Sequence, residues 1–318
     1  MKSSRISDSV FKVNMQYTRL QNKTKELFFK CLEEGQDVDY FKAKLREIWG
    51  NTDIDYLEEE ILDYMAYLHE ENTGEKLDKK DTSIFGVATL GMITATNSLF
   101  QKVKTKEYST RKSSYGYENN KEEYLKKLVP KYTSDVKAYR NNDGDVVRFV
   151  KPSTYNSMVY NTCLTRNGWV QTLNDGEEMG IGYFYIPYHA FSCIDCIDHQ
   201  EVAMTKEQCM RMLGTADEQV GDILHPNCKC VLTFYDNKTQ TQTINREEAD
   251  EQYHIREKVM SLELKKEEIK TDLKIYKIQG SQAEIDKTKA KLEKVNSSIK
   301  ELQQQLPTEA LRKQVIAR

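Results

Sequence analysis

The sequence is poor in the residues that break regular structure. Proline occurs 5 times and glycine 14 times in 318 residues. That excludes collagen-like, proline-rich and glycine/serine-linker architectures. Basic charge is not in excess either, with 47 Lys+Arg against 50 Asp+Glu. A globally basic nucleic-acid binder is excluded, although a local basic patch is not. The opening segment, MKSSRISDSVFKVNMQ, lacks the apolar centre of a secretory signal. Long apolar runs are missing too. The longest uncharged stretch, Thr82 to Gln101, is dotted with Thr, Ser and Asn and carries Gly86 and Gly91. It reads as a buried helix with small residues at a close contact, not as a membrane span. There is no P-loop, no G-x-G-x-x-G and no His-Glu-x-x-His, and a zinc-deaminase pattern, His-x-Glu before Pro-Cys-x-x-Cys, fits badly. No catalytic constellation is apparent, and the expectation is a protein that is not an enzyme.

What is present favours helix: few breakers and many Lys and Glu. A first helix is expected over Leu20 to Leu32, ended by Gly35. Phe41, Leu45, Ile48 and Trp49 recur at helical spacing, with Gly50 as the stop. Leu57, Ile61, Met65 and Leu68 form another stripe, ended by Asn72 to Gly74. Charge is segregated along this region. Cys31 to Glu75 holds 14 Asp+Glu against 3 Lys+Arg, and Gln101 to Arg140 holds 11 Lys+Arg against 5 Asp+Glu. Solvated helix faces account for both runs. The functional alternative is an acidic surface for a protein partner and a basic one for phosphates. In the second case Lys102, Lys104, Lys106, Arg111 and Lys112 are the candidate DNA contacts.

The middle of the chain changes character. Val146, Val147, Phe149 and Val150 form a β-type run after the turn signal Asn142-Asp143-Gly144. Tyr155 to Leu173 reads as a helix, Gly182 to Tyr188 as a strand, and Cys230 to Tyr235 as another. Thr205 and Gln208 make a capping box for a short helix ending at Gly214. Further on, Ile255, Val259, Leu262, Lys266, Ile269, Leu273 and Tyr276 alternate by four and three, as do Ile285, Thr288, Leu292, Val295, Ile299, Leu302 and Leu306. Gln279-Gly280-Ser281 separates them, so a helical hairpin is expected; self-association through the same seam is the alternative. The fold class expected is α+β, predominantly α-helical. Its parts are an N-terminal helical region (1–142), a small antiparallel-sheet domain (143–236) and a C-terminal heptad-like hairpin (237–318).

One constellation carries chemistry. Five of the seven cysteines lie between residues 193 and 230. Cys193 and Cys196 form a C-x2-C, and Cys228 and Cys230 form a C-x-C preceded by His225. Four donors from Cys193, Cys196, His225, Cys228 and Cys230 would satisfy one tetrahedral structural zinc. Two other readings stay open: thiols buried as small hydrophobes, and a redox pair.

Cys193-x2-Cys196 followed by Leu224-His225-Pro226-Asn227-Cys228-Lys229-Cys230 and an apolar strand resembles the signature of phage head morphogenesis proteins, the Mu F-like minor head proteins of tailed phages. The specific match covers residues 145–236. One departure is Asp198-His199-Gln200-Glu201, where the family often carries a glycine turn. The resemblance implies a virion component inside the head. It implies binding to the portal and to the major capsid or scaffold protein, entry from the host cytoplasm during assembly, and, in some members, non-specific contact with packaged double-stranded DNA. No membrane partner is implied. A zinc-clasp nucleic-acid-binding protein without a virion role is the alternative.

Overall fold

A computed structural model describes residues 2–50, 57–85, 119–120, 139–140, 146–148, 152–213, 228–236, 238–239, 241–309 and 311–312. The fold is α+β and predominantly helical. Helix α1 runs Lys2–Glu33, α2 Val38–Gly50 and α3 Leu57–Thr73. A short ladder pairs β1 (Tyr139–Arg140) antiparallel to β2 (Val146–Arg148). Then come α4 (Pro152–Glu178), β3 (Tyr183–Tyr185), α5 (Ile194–Ile197), β4 (Met204–Thr205), α6 (Lys206–Leu213) and β5 (Thr233–Phe234). The chain closes with α7 (Arg246–Ile278) and α8 (Gln282–Gln305). No described helix is long and apolar enough to cross a membrane.

Helix α1 starts eighteen residues before the expected Leu20. Its early part is polar by composition. It is held as helix because Ile6, Val10, Phe11, Met15 and Tyr17, spaced by one to four residues, are all buried. Ile6 and Val10 join Ile61, Met65 and Leu68 of α3 and Val159 and Leu164 of α4 in one apolar cluster. Tertiary burial therefore extends the helix beyond what local propensity supports. Lower down, Tyr17, Leu20, Phe28 and Cys31 pack on Phe41 and Leu45 of α2. The expected glycine stop is present: Gly35 has φ +67°, and Gln36 N donates to Cys31 O at 2.8 Å.

Helix α4 is the spine. The sequence predicts Tyr155 to Leu173, but the helix is longer at both ends and opens on Pro152, a residue preorganised for a first helical position. From Val159 to Leu173 every residue except half-buried Val170 is buried. Two glycines allow the close contacts. A Cβ on Gly168 would stand 2.7 Å from Tyr64 Cε1 of α3, and one on Gly176 2.6 Å from the Phe184 ring of β3. The α3–α4 contact is also polar. Asp175, 1% exposed, accepts hydrogen bonds from His69 Nδ1 (2.6 Å), Gln171 Nε2 (2.7 Å) and Asn72 Nδ2 (2.8 Å). A buried carboxylate needs such a set of donors.

A three-stranded antiparallel sheet, in the order β4-β3-β5, lies against the end of α4. Phe184 is fully buried at its centre, opposite Met204 and Phe234. The expected capping box is formed: Gln208 N donates to Thr205 Oγ1 (3.3 Å), and Thr205 N donates to Gln208 Oε1 (2.7 Å). The expected strand from Cys230 is shorter than predicted and pairs only at Thr233–Phe234. Its first residue, Cys230, gives its carbonyl to α4 instead of to a ladder, as described below. The β1–β2 ladder includes the expected Val146 run. Residues 149–150, the turn at 142–144 and the uncharged segment from residue 86 onward lie outside the described residues.

The hairpin is formed as expected. Asn245 caps α7, its side chain accepting from Glu248 N at 3.3 Å. Gly280, at φ +68°, turns the chain, and Ser281 N donates to Tyr276 O at 3.1 Å. Ile255, Val259 and Ile269 of α7 and Val295 and Ile299 of α8 share one buried seam that also takes Leu306. Thr288 is buried in it, while Lys266 stays half-buried and pairs with Glu263 at 3.2 Å. Helix α7 also lies along α1, where Lys25 pairs with Asp272 and Lys274 with Glu26.

Candidate metal centre

Two stretches of chain bring the cysteines together. The first runs from β3 through a loop into α5. Glu201, at φ +60°, ties this loop down: Oε1 accepts from Tyr188 N and Oε2 from Gln242 N at 3.1 Å. Phe191, at φ +72°, turns the backbone just before the C-x2-C. Cys193 caps the single turn of α5, and Cys196 N and Ile197 N donate to its carbonyl at 3.1 and 3.2 Å. This local turn presents both sulfurs of the C-x2-C.

The second stretch, Cys228 to Cys230, is held by one face of α4. Asn161 Nδ2 and Thr165 Oγ1 each donate to Cys228 O at 2.9 Å, and Trp169 Nε1 donates to Cys230 O at 2.8 Å. The three donors are four residues apart and so stack on one helical face. All are buried, so the bonds satisfy polar atoms that would otherwise be costly.

The result is a buried group of three thiols, Cys196, Cys228 and Cys230, whose sulfurs all lie within 4.8 Å of one another. No disulfide joins any of the seven cysteines. Cys196 Sγ donates to Cys228 Sγ at 3.8 Å. Two thiolates on one tetrahedral zinc, each at about 2.3 Å, stand about 3.8 Å apart. The donor set and its spacing therefore fit a zinc ion. Cys193, at the edge of the group and 9% exposed, bonds to Cys196.

Electrostatics favour the same reading. Hydrogen bonds from Cys196 and Cys228, the leading influences, hold the Cys230 thiol well below its ordinary range. Bonds to Cys193, Cys228 and Cys230 push Cys196 far up. At Cys228 the Cys196 bond pulls down, but the bond to Cys230 and burial prevail and raise it. Cys230 is thus the thiol of the group most readily deprotonated, the form in which it would ligate a metal. Cys163 and Cys209 differ: burial, their leading influence, pushes each up to about 12, as for inert core thiols.

A surrounding layer of polar groups orients the sulfurs. Gln200 Nε2 donates to Cys230 Sγ at 3.4 Å and to Ser192 Oγ at 2.9 Å, and Cys230 N donates to Cys228 Sγ at 3.5 Å. Helix α7 adds charge. Lys229 reaches Glu257 at 3.4 Å, and burial with Arg256 nearby lowers its ammonium to about 8. Arg256, 5% exposed, sits over the Phe191 ring at 5.6 Å. The hairpin is therefore docked on the thiol unit.

Of the residues singled out in the sequence, the structure brings Cys196, Cys228 and Cys230 together with Cys193 beside them. His225 and the basic residues Lys102, Lys104, Lys106, Arg111 and Lys112 lie outside the described residues. His199, just past α5, is exposed. Sequence reasoning missed His189, whose Nε2 is 3.6 Å from Cys230 Sγ. The signal available was its position four residues before Cys193. It also missed Gln200, Lys229 and Arg256, whose roles depend on contacts distant in sequence. Comparison of the chain with family models, curated proteins and solved structures finds no match.

Proposed function

We propose that this protein is a minor head protein of a tailed phage, acting inside the capsid by binding rather than by catalysis. One zinc ion staples its central unit. The observation that supports the reading is the convergence of Cys196, Cys228 and Cys230 into one buried thiol group. They are three of the four cysteines of the two motifs that carry the family resemblance. In this reading the helical surfaces dock on the portal and on the major capsid or scaffold protein during assembly. The basic segment at Lys102 to Arg140 contacts packaged DNA through phosphates. The zinc clasp fixes α4, the sheet and the hairpin as one platform for those contacts.

Two measurements test it. Elemental analysis of protein purified without added zinc should give one zinc per chain, lost in Cys228→Ser. Absence of metal from the folded protein would remove the clasp. Co-expression with a portal protein encoded beside this gene should yield a complex; a neighbourhood without head genes would overturn the virion role and favour a nucleic-acid binder. Salt titration of DNA binding separates the remaining contribution, since phosphate contacts weaken steeply with salt.

A further inference from the structure

His189 lies in the loop between β3 and α5, and its hydrogen bonds determine which ring nitrogen carries the proton. Ser192 Oγ has one proton, and its shortest acceptor is His189 O at 2.6 Å. Gln200 Nε2 donates to the same Ser192 oxygen at 2.9 Å. Ser192 therefore has no proton to give the ring. His189 Nδ1 faces Ala190 O at 3.1 Å and Ser192 Oγ at 3.3 Å, both acting as acceptors. Nδ1 is thus the protonated nitrogen of the neutral ring, and Nε2 keeps its lone pair. That lone pair faces Cys230 at one side of the thiol cluster, with Nε2 3.6 Å from Cys230 Sγ, while the mutually close group itself is the three sulfurs. An imidazole nitrogen at about 2.0–2.1 Å and a thiolate at about 2.3 Å on one tetrahedral zinc also stand about 3.6 Å apart. A metal-bound histidine commonly donates its other N–H to a backbone carbonyl, the arrangement seen at Ala190.

Charge gives a second, independent reason. Zinc with three thiolates and one imidazole carries a single negative charge, and with four thiolates it carries two. Among the charged groups beside the cluster, Asp195 of α5 is exposed to solvent, while Lys229 and Arg256, two positive, pair with Glu257, one negative, at 3.4 and 3.8 Å. Their sum is one positive charge, which balances the three-thiolate centre and leaves the four-thiolate centre with an uncompensated charge in a buried site.

We infer that His189 Nε2 is the fourth ligand, so that zinc is held by His189, Cys196, Cys228 and Cys230, with Cys193 left as the cap of α5. This rests on the zinc-clasp reading above. The test is X-ray absorption at the zinc edge on the full chain, with zinc as the probe. The expected shell is three sulfurs and one nitrogen, with the outer scattering of an imidazole. Cys193→Ser should keep one zinc and the same shell. His189→Ala should lose the nitrogen and weaken zinc by more than the about 10–100-fold typical of an outer-shell partner. A four-sulfur shell in the unmodified chain would overturn the assignment while leaving the clasp intact. A full-length protein that folds without zinc would overturn both. His225→Ala should keep the same shell, and loss of the nitrogen there would overturn the assignment even if His189→Ala fails to fold.

Discussion

The thiol unit and the C-terminal hairpin are held together in different ways. In the hairpin, aliphatic side chains from two helices fill one seam, and its ion pairs are mostly local, such as Lys270–Glu267 and Lys287–Glu284, three residues apart. In the thiol unit the decisive contacts span more than sixty residues, from Asn161, Thr165 and Trp169 to the carbonyls of Cys228 and Cys230. One region repeats a weak contact many times, whereas the other depends on a few specific ones. Redundancy makes the hairpin tolerant, and specificity makes the thiol unit fragile.

On the proposed zinc-clasp reading, zinc removal should expose that contrast most strongly. Structural zinc is bound with about 10 kcal/mol or more in small domains. Chelation or Cys228→Ser should therefore open the thiol unit, seen as loss of amide protection around residues 183–213 and 228–234, while the seam of α7 and α8 stays protected. Simultaneous loss of both would show that they unfold as one unit. Gly176→Ala comes next. Its Cβ would meet the Phe184 ring at 2.6 Å, and overpacking of this kind costs about 1–3 kcal/mol, measured by denaturant unfolding. Trp169→Phe keeps an aromatic ring but removes the donor to Cys230 O, leaving a buried carbonyl unmet at about 1–2 kcal/mol. It should also raise the rate of zinc loss to a chelator, because the Cys228–Cys230 backbone loses an anchor.

In the hairpin the matching changes should do less. Ile299→Val removes one methylene from the seam and should cost about 1 kcal/mol, with zinc content unchanged. Lys274→Ala breaks a largely exposed pair with Glu26 and should shift stability by about 0.5 kcal/mol or less. A loss at Ile299 as large as at Gly176 would erase the distinction between the regions.

Legibility in the sequence follows the same division. The hairpin, the Thr205–Gln208 capping box and the glycine ends of α1 and α3 were all readable, because each depends on residues within a few positions of one another. The Cys motifs named three of the thiols that meet. The early half of α1 was not readable, since Ile6 and Val10 are helical for the sake of α3 and α4. Nor was the short β5: an apolar run from Cys230 looks like a strand until α4 claims the Cys230 carbonyl. His189 was passed over because one histidine before a C-x2-C has no meaning until its ring is turned toward Cys230.

The amino-acid sequence alone determined the helical class, the two heptad-like C-terminal helices and the two cysteine motifs, because periodicity, caps and donor type are local properties. Only the tertiary structure decided that α4 is the buried spine, that the hairpin docks on the thiol unit through Arg256 and Glu257, and which nitrogen faces the sulfurs. Those outcomes depend on where distant segments meet in three dimensions, and local spacing carries no record of that.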